Sequence, residues 1–219
     1  MLAECQEHGF YRGIKCPVCK KDGKFLMDDW EVKKLSSILV GILRHFPQQF
    51  NVELDEHGWG DVEEIRKAIK NKIDRFYWLR KKHIVALALT DEKGRYQLRE
   101  GKIRATYAHT IEVDLSDLPD ADVDFLYYPV TEEEAEIVLE QGLLPTDRNK
   151  VHLSGSIEKA MEAGKTRVDN PVILVVDVKK AMEDGVVIKK AGRDVYIADE
   201  IAAKYLSIHE GGYRLAFPI

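Results

Sequence analysis

Apolar side chains recur at spacings of three and four from Leu35 through Ile38, Leu39, Ile42 and Leu43 to Phe46, and Pro47 follows. That period predicts an amphipathic helix with Arg44 and His45 in its last turn. Asp55-Glu56-His57-Gly58-Trp59 reads as a turn entering a short strand. Asp61 then stands as an N-cap, with Glu64 in capping-box position ahead of Ile65, Ala68 and Ile69. A third helix is expected over Arg75 to Leu89. Arg95-Tyr96-Gln97-Leu98, a turn at Glu100-Gly101-Lys102 and Ile103-Arg104-Ala105 make a hairpin. Three helices followed by a hairpin is the order of a winged helix, although a fold does not by itself set a function.

The acidic stretch Ser116-Asp117-Leu118-Pro119-Asp120-Ala121-Asp122 is the best linker candidate, and beyond it the chain becomes strand-rich. Phe125 to Val130 precedes a helix that Thr131 can cap ahead of Glu132 to Glu134 and that Gly142 stops. Further strands are expected at Val151-His152-Leu153, Pro171 to Val178, Val186-Val187-Ile188 and Val195-Tyr196-Ile197. Short strands with few helices point to an α+β fold rather than a doubly wound sheet. No G-x-G-x-x-G and no P-loop occurs, which excludes nucleotide binding by those devices.

Composition changes this picture little. Hydrophobic residues make up 45% of the 219 and charged residues 32%, as in ordinary globular chains. No apolar run approaches the ~18–20 residues of a membrane span, and Glu4 and Glu7 interrupt any signal-peptide core, so a soluble cytoplasmic protein is expected. Charge is more telling. The net −5 divides into zero over residues 1–29, +3 over 30–115 and −8 over 116–219, which makes the middle segment the side to meet a polyanion.

Two constellations carry candidate chemistry. Cys5-x-x-His8 followed by Cys16-Pro-Val-Cys19 offers four soft ligands in two close pairs, with Gly9 and Gly13 to permit tight turns. A filled Cys₃His set suits tetrahedral Zn²⁺ in a structural role, because it leaves no open position for catalysis. The second set is Arg44 with His45, Arg104 with His109, and Arg148 with His152. Convergent guanidinium forks would bind phosphate, but spacing alone cannot show convergence across some hundred residues.

Leu35-Ser36 through Leu43-Arg44-His45, Asp55…Gly58-Trp59, Ile103-Arg104-Ala105…His109-Thr110-Ile111 and Arg148…Val151-His152-Leu153-Ser154 together resemble the RNA 2′-phosphotransferase family, in order, from about Leu35 to Tyr205. The Cys/His segment precedes that region and looks like an extension of archaeal members. The resemblance implies a zinc-binding segment at 1–28, a winged-helix RNA-binding lobe at 29–115, and an ADP-ribosyltransferase-like NAD-binding lobe at 116–219. It implies transfer of an RNA 2′-phosphate, as at a tRNA splice junction, to NAD. The products would be 2′-OH RNA, nicotinamide and ADP-ribose 1″,2″-cyclic phosphate. Arg44, His45, Arg104 and Arg148 match the family's essential set: the first three grip phosphate, and Arg148 serves the transesterification. Tyr128, His109, His152 and Ser154 match positions near NAD and phosphate. A monomer is expected, with RNA contact concentrated on the first lobe.

Two departures stand out. Tyr127-Tyr128-Pro129-Val130-Thr131 replaces the Tyr-His-Gly-Thr of many members, so Tyr128 takes over with a hydroxyl and a stacking face. Ala105-Thr106-Tyr107-Ala108-His109 replaces the commoner Ala-Asn-Gln-Gly-His. Two other functions remain compatible with the residues: a winged-helix nucleic-acid-binding regulator, and an ADP-ribosyltransferase acting on nucleic-acid ends.

Overall fold

In the computed structural model, which describes residues 1–209, the first 27 residues make three short antiparallel strands: β1 (Leu2–Cys5), β2 (Gly9–Arg12) and β3 (Lys24–Met27), in the order β2-β1-β3. Asp28 starts helix α1 (Asp29–Arg44) with a reciprocal cap. Its carboxylate accepts from the Glu31 amide at 2.7 Å, and the Glu31 carboxylate accepts from the Asp28 amide at 2.9 Å. The helix ends ahead of Pro47, which opens a 3₁₀ turn.

A two-residue strand β4 (Gly60–Asp61) leads into α2 (Val62–Lys72), where the Asp61 carboxylate caps the amides of Glu63 and Glu64. The expected helix over Arg75 to Leu89 is shorter. A 3₁₀ turn at Asp74–Phe76 is followed by α3 (Lys81–Leu89). The chain turns here so that Phe76 and Leu79 both enter the core, and it restarts at an extended Arg80 whose amide donates to His83 Nδ1 at 3.0 Å. The hairpin β5 (Tyr96–Arg99) and β6 (Lys102–Ala105) turns through Glu100 (φ 49°) and Gly101 (φ 82°). Positive φ at both central residues is the two-residue turn whose twist suits a hairpin. The sheet order is β4-β6-β5.

Met1–Leu115 form one compact unit and Ser116–Ile219 a second. In the first, Leu35, Leu39, Ile42 and Leu43 of α1 meet Ile65, Ile69, Ile84, Leu87 and Ile103, all fully buried. Leu2 and Met27 join the same core, so the amino-terminal strands are packed into this unit.

The second unit is built on β7 (Phe125–Val130), α4 (Glu132–Gln141), β8 (Val151–Ser154), α5 (Ile157–Gly164), β9 (Val172–Asp177), α6 (Val178–Glu183), β10 (Ile188–Lys190), β11 (Val195–Ala198) and β12 (Leu206–Ile208). All pairings in its sheet are antiparallel, in the order β10-β11-β8-β7-β9-β12. The strand expected to reach Val178 stops at Asp177, whose side chain caps α6. The run Val186-Val187 lies ahead of β10 rather than in it. The last ten residues of the expected NAD lobe, 210–219, lie outside the described residues. The class is α+β, and no helix among the described residues is long and apolar enough to cross a membrane.

Candidate functional site

Arg44 closes α1, where the helix dipole favours a cation. It is only 6% exposed, and its guanidinium carbon lies 4.5 Å from the centroid of the Tyr107 ring. Nε and Nη2 have no hydrogen-bond partner among the described residues. Burial pulls its pKa below the ordinary arginine value, while Tyr107 and Tyr96 act against that. Arginine nevertheless stays protonated near neutrality. A buried, charged fork with two unmet donors costs the fold free energy until an acceptor arrives.

Thr110 ties the neighbouring groups together. Its amide donates to the Arg44 carbonyl at 3.0 Å, and its hydroxyl lies 3.0 Å from His45 Nδ1. Arg104, 2% exposed on β6, is held on three sides. Its cross-strand partner Gln97 accepts from Nε at 2.9 Å, the His57 carbonyl accepts from Nη1 at 3.3 Å, and the Trp59 ring centroid lies 4.6 Å from its guanidinium carbon. The β5–β6 register and the turn before β4 thus set this arginine. His109 is buried in the same unit, directly after Ala108, which takes a positive φ of 63°.

The second unit places its candidates on two sides of one sheet. Tyr127 pairs with Ser154, so Tyr127, Ser154 and His152 share a face. Pro129 lies on that face too, pressed by Gly164 of α5: a Cβ added at Gly164 would come within 2.8 Å of it. His209 joins them, its ring 6.5 Å from that of Tyr127 and edge-on. Tyr128 points to the opposite face, half-buried beside its cross-strand partner Leu174 and packed on the cluster that Leu174 forms with Val130 and Ala135. Burial raises its hydroxyl pKa, and Arg148 and Arg167 are near enough to oppose that. Arg148 itself is exposed in the loop between α4 and β8. Tyr127↔Ser154 is the one pair joining β7 to β8, and the ladder does not continue past it. Pro129 therefore falls after the ladder on that side has ended, where a missing amide costs little.

The Cys5, His8, Cys16 and Cys19 donor atoms all lie within 4.8 Å of one another. Cys5 Sγ is 3.5 Å from His8 Nδ1 and 3.7 Å from Cys19 Sγ, and Cys16 Sγ is 3.7 Å from His8 Nδ1. Sulfur and nitrogen ligands tetrahedral about an ion at ~2.3 and ~2.0 Å stand about 3.5–3.8 Å apart, so the donors fit such an ion. The Glu7 amide, with help from His8, pulls the Cys5 thiol down to about 6. The Lys21 amide acts likewise on Cys19, but burial and the neighbouring thiols Cys16 and Cys5 outweigh it and raise that group.

Arg44, His45, Arg104 and His109 thus belong to the first unit, and Tyr128, Arg148, His152 and Ser154 to the second. Sequence reasoning missed the groups that seat the arginines: Tyr107, Gln97 and Trp59. Gln97 was recoverable from the hairpin register, whereas the Tyr107 contact is purely tertiary.

The family model described as RNA 2′-phosphotransferase, Tpt1/KptA family, matches residues 30–200. A protein of Archaeoglobus fulgidus named "Probable RNA 2'-phosphotransferase 1" is 46% identical over 202 residues, 92% of each chain. "Probable RNA 2'-phosphotransferase" of Methanosarcina barkeri is 40% identical over 96% of this chain and all of its own. The protein of the same name from Thermoplasma acidophilum is 42% identical over 91% of this chain and 85% of its own. With most of its length matched by the family model and by these relatives, the chain belongs to the RNA 2′-phosphotransferase, Tpt1/KptA family, and carries a Cys/His cluster ahead of the residues that the model matches.

Proposed function

We propose that this chain is an NAD-dependent RNA 2′-phosphotransferase that removes the 2′-phosphate left at a tRNA splice junction. The observation that carries this reading is Arg44: a buried guanidinium, seated on Tyr107, with Nε and Nη2 unmet. A phosphate is the acceptor whose oxygens match that fork. Arg104, immobilised by Gln97 and Trp59, supplies a second fixed cation. His45, with its ring fixed by Thr110, joins them at the phosphate. Fixed donors need no reorganisation when charge builds on the equatorial oxygens, so they stabilise the transition state without a metal. Arg148 serves the step that separates the phosphate from RNA.

NAD, when bound, supplies an activated glycosidic carbon and the ribose hydroxyl that takes over the phosphate. Its holders in the second unit are His152 and Ser154, which share one face of the sheet. We read the first unit as a winged helix that binds RNA and the second as an ADP-ribosyltransferase-like lobe. The end of the β7–β8 ladder at Tyr127 supports the latter, because it leaves the backbone of β8 beside His152 unpaired to β7. The Cys/His cluster holds a structural Zn²⁺ with its coordination filled. The protein works as a cytoplasmic monomer.

The test is one incubation with NAD and a short RNA bearing a single internal 2′-phosphate, read by mass spectrometry. Loss of the phosphate with appearance of ADP-ribose cyclic phosphate is expected. An RNA heavier by one ADP-ribose would make the protein a transferase that stops early. Unchanged RNA that is still bound would make it a binding module.

A further inference from the structure

We propose that the face between β3 and the start of α3 is a second RNA contact, a stacking platform for single-stranded nucleotides distinct from the residues that handle the 2′-phosphate. A cavity of about 440 Å³ there is lined by Lys24, Phe25, Glu31, Trp78, Arg80 and Lys82, together with His83. Phe25 lies on β3, an edge strand, with 56% of its surface exposed, while Leu26 and Met27 beside it enter the core. The half-buried Trp78 is held in orientation by Phe76 at 5.7 Å and by His83 edge-on at 5.0 Å. Trp30, adjoining Glu31 and 41% exposed, carries the Arg75 guanidinium 4.0 Å from its ring centroid. Tyr77, on the same turn as Arg75, is 74% exposed.

Packing alone does not account for so many rings left in water beside cations. Lys24, Arg80 and Lys82 line the cavity with Glu31, and Glu4 accepts from Lys82 at 2.7 Å, so three cations stand against two carboxylates. Aromatic faces interleaved with lysine and arginine suit a strand of nucleotides: every base offers a π-face and every linkage a negative charge. A protein partner would be served by a continuous apolar patch instead, and these rings are separated by charges. The arrangement also gives the amino-terminal strands a task. Cys5 of the Cys/His cluster ends β1, its other members stand in the turns on either side of β2, and β3, which presents Lys24 and Phe25, is paired to β1. The inference rests on RNA being the substrate, but its test does not depend on catalysis.

The full chain is titrated into a fluorescein-labelled 12-nucleotide single-stranded RNA without any 2′-phosphate and without NAD, and followed by anisotropy. Phe25→Ala combined with Arg80→Ala is expected to weaken binding about tenfold or more and to flatten its salt dependence. Phe25→Leu should weaken it as Phe25→Ala does, and Phe25→Tyr should restore it. Turnover of a minimal 2′-phosphorylated dinucleotide should be unchanged by all of them. Wild-type affinity in the double variant overturns the proposal. So does wild-type affinity in Phe25→Leu, because it would reduce the face to charge alone. Failure of the dinucleotide to react, with the anisotropy losses intact, would count against the enzymatic reading and leave the platform standing.

Discussion

Lowering the pH should weaken the first unit through one side chain, His83. The ring is buried at the start of α3, its Nδ1 accepts the Arg80 amide, and Lys82 and Arg80 lie beside it. Burial, and then those two cations, hold its pKa at about 4 against an ordinary 6.5. Protonation would remove the acceptor and place a charge in a dry site. Because the folded value lies below the unfolded one, the contribution is fully present above pH 6.5 and is lost as pH falls toward 4. Linkage puts the loss at about 2 kcal/mol by pH 5 and about 3 kcal/mol at the plateau. The assay is urea unfolding between pH 7.5 and 4.5 for wild type and for His83→Asn, whose Oδ1 can still accept from Arg80 but does not titrate. Carboxylates titrate alike in both proteins, so the difference between the two curves isolates His83. Curves that stay parallel over that range would refute the reasoning.

Four more outcomes follow from the same geometry. Arg44→Lys keeps the charge and loses the fork over Tyr107, so kcat/KM on 2′-phosphorylated RNA should fall about 100-fold or more, measured by phosphate loss with a constant melting temperature. Arg148→Ala should leave RNA binding intact while slowing turnover by a comparable factor, or should accumulate an ADP-ribosylated RNA visible by mass spectrometry. Cys16→Ser or a strong chelator should lower the melting temperature of the first unit and release zinc measurable with a colorimetric dye; a metal-free wild type that melts the same as the variant contradicts the site. Gly142→Ala should cost roughly 2–3 kcal/mol in denaturant titrations, because Gly142 has φ 89° and a Cβ there would lie 2.5 Å from the Ile201 carbonyl.

Much of this molecule could be read from local chemistry, and the rest depends on contacts that spacing does not encode. The core face of α1 was visible because Leu35, Leu39, Ile42 and Leu43 are large, apolar and periodic. Its first turn was not, since Asp29 and Trp30 are exposed and carry no period. Strand β7 was found despite Pro129, which stands where pairing to β8 has ended. Helices α5 and α6 escaped because the middle of each buries only small side chains, Ala160 and Ala181. The Cys/His cluster was legible because two short-range pairs need only two turns to meet. The arginines were named as candidates, but what makes Arg44 and Arg104 suitable lies elsewhere in the chain. Tyr107 arrives from beyond the hairpin, and Trp59 from the turn before β4.

The single pair Tyr127↔Ser154 has a consequence for how the second unit unfolds. On one side of it, β7, β9 and β12 share long ladders; on the other, β8, β11 and β10 do. An amide is protected from exchange with deuterium only as firmly as the cooperative block that holds it. The six strands should therefore exchange as two blocks with separate opening free energies rather than as one sheet. A ligand that bridges both blocks would couple them, and its occupancy would be recorded as the merging of two exchange rates into one.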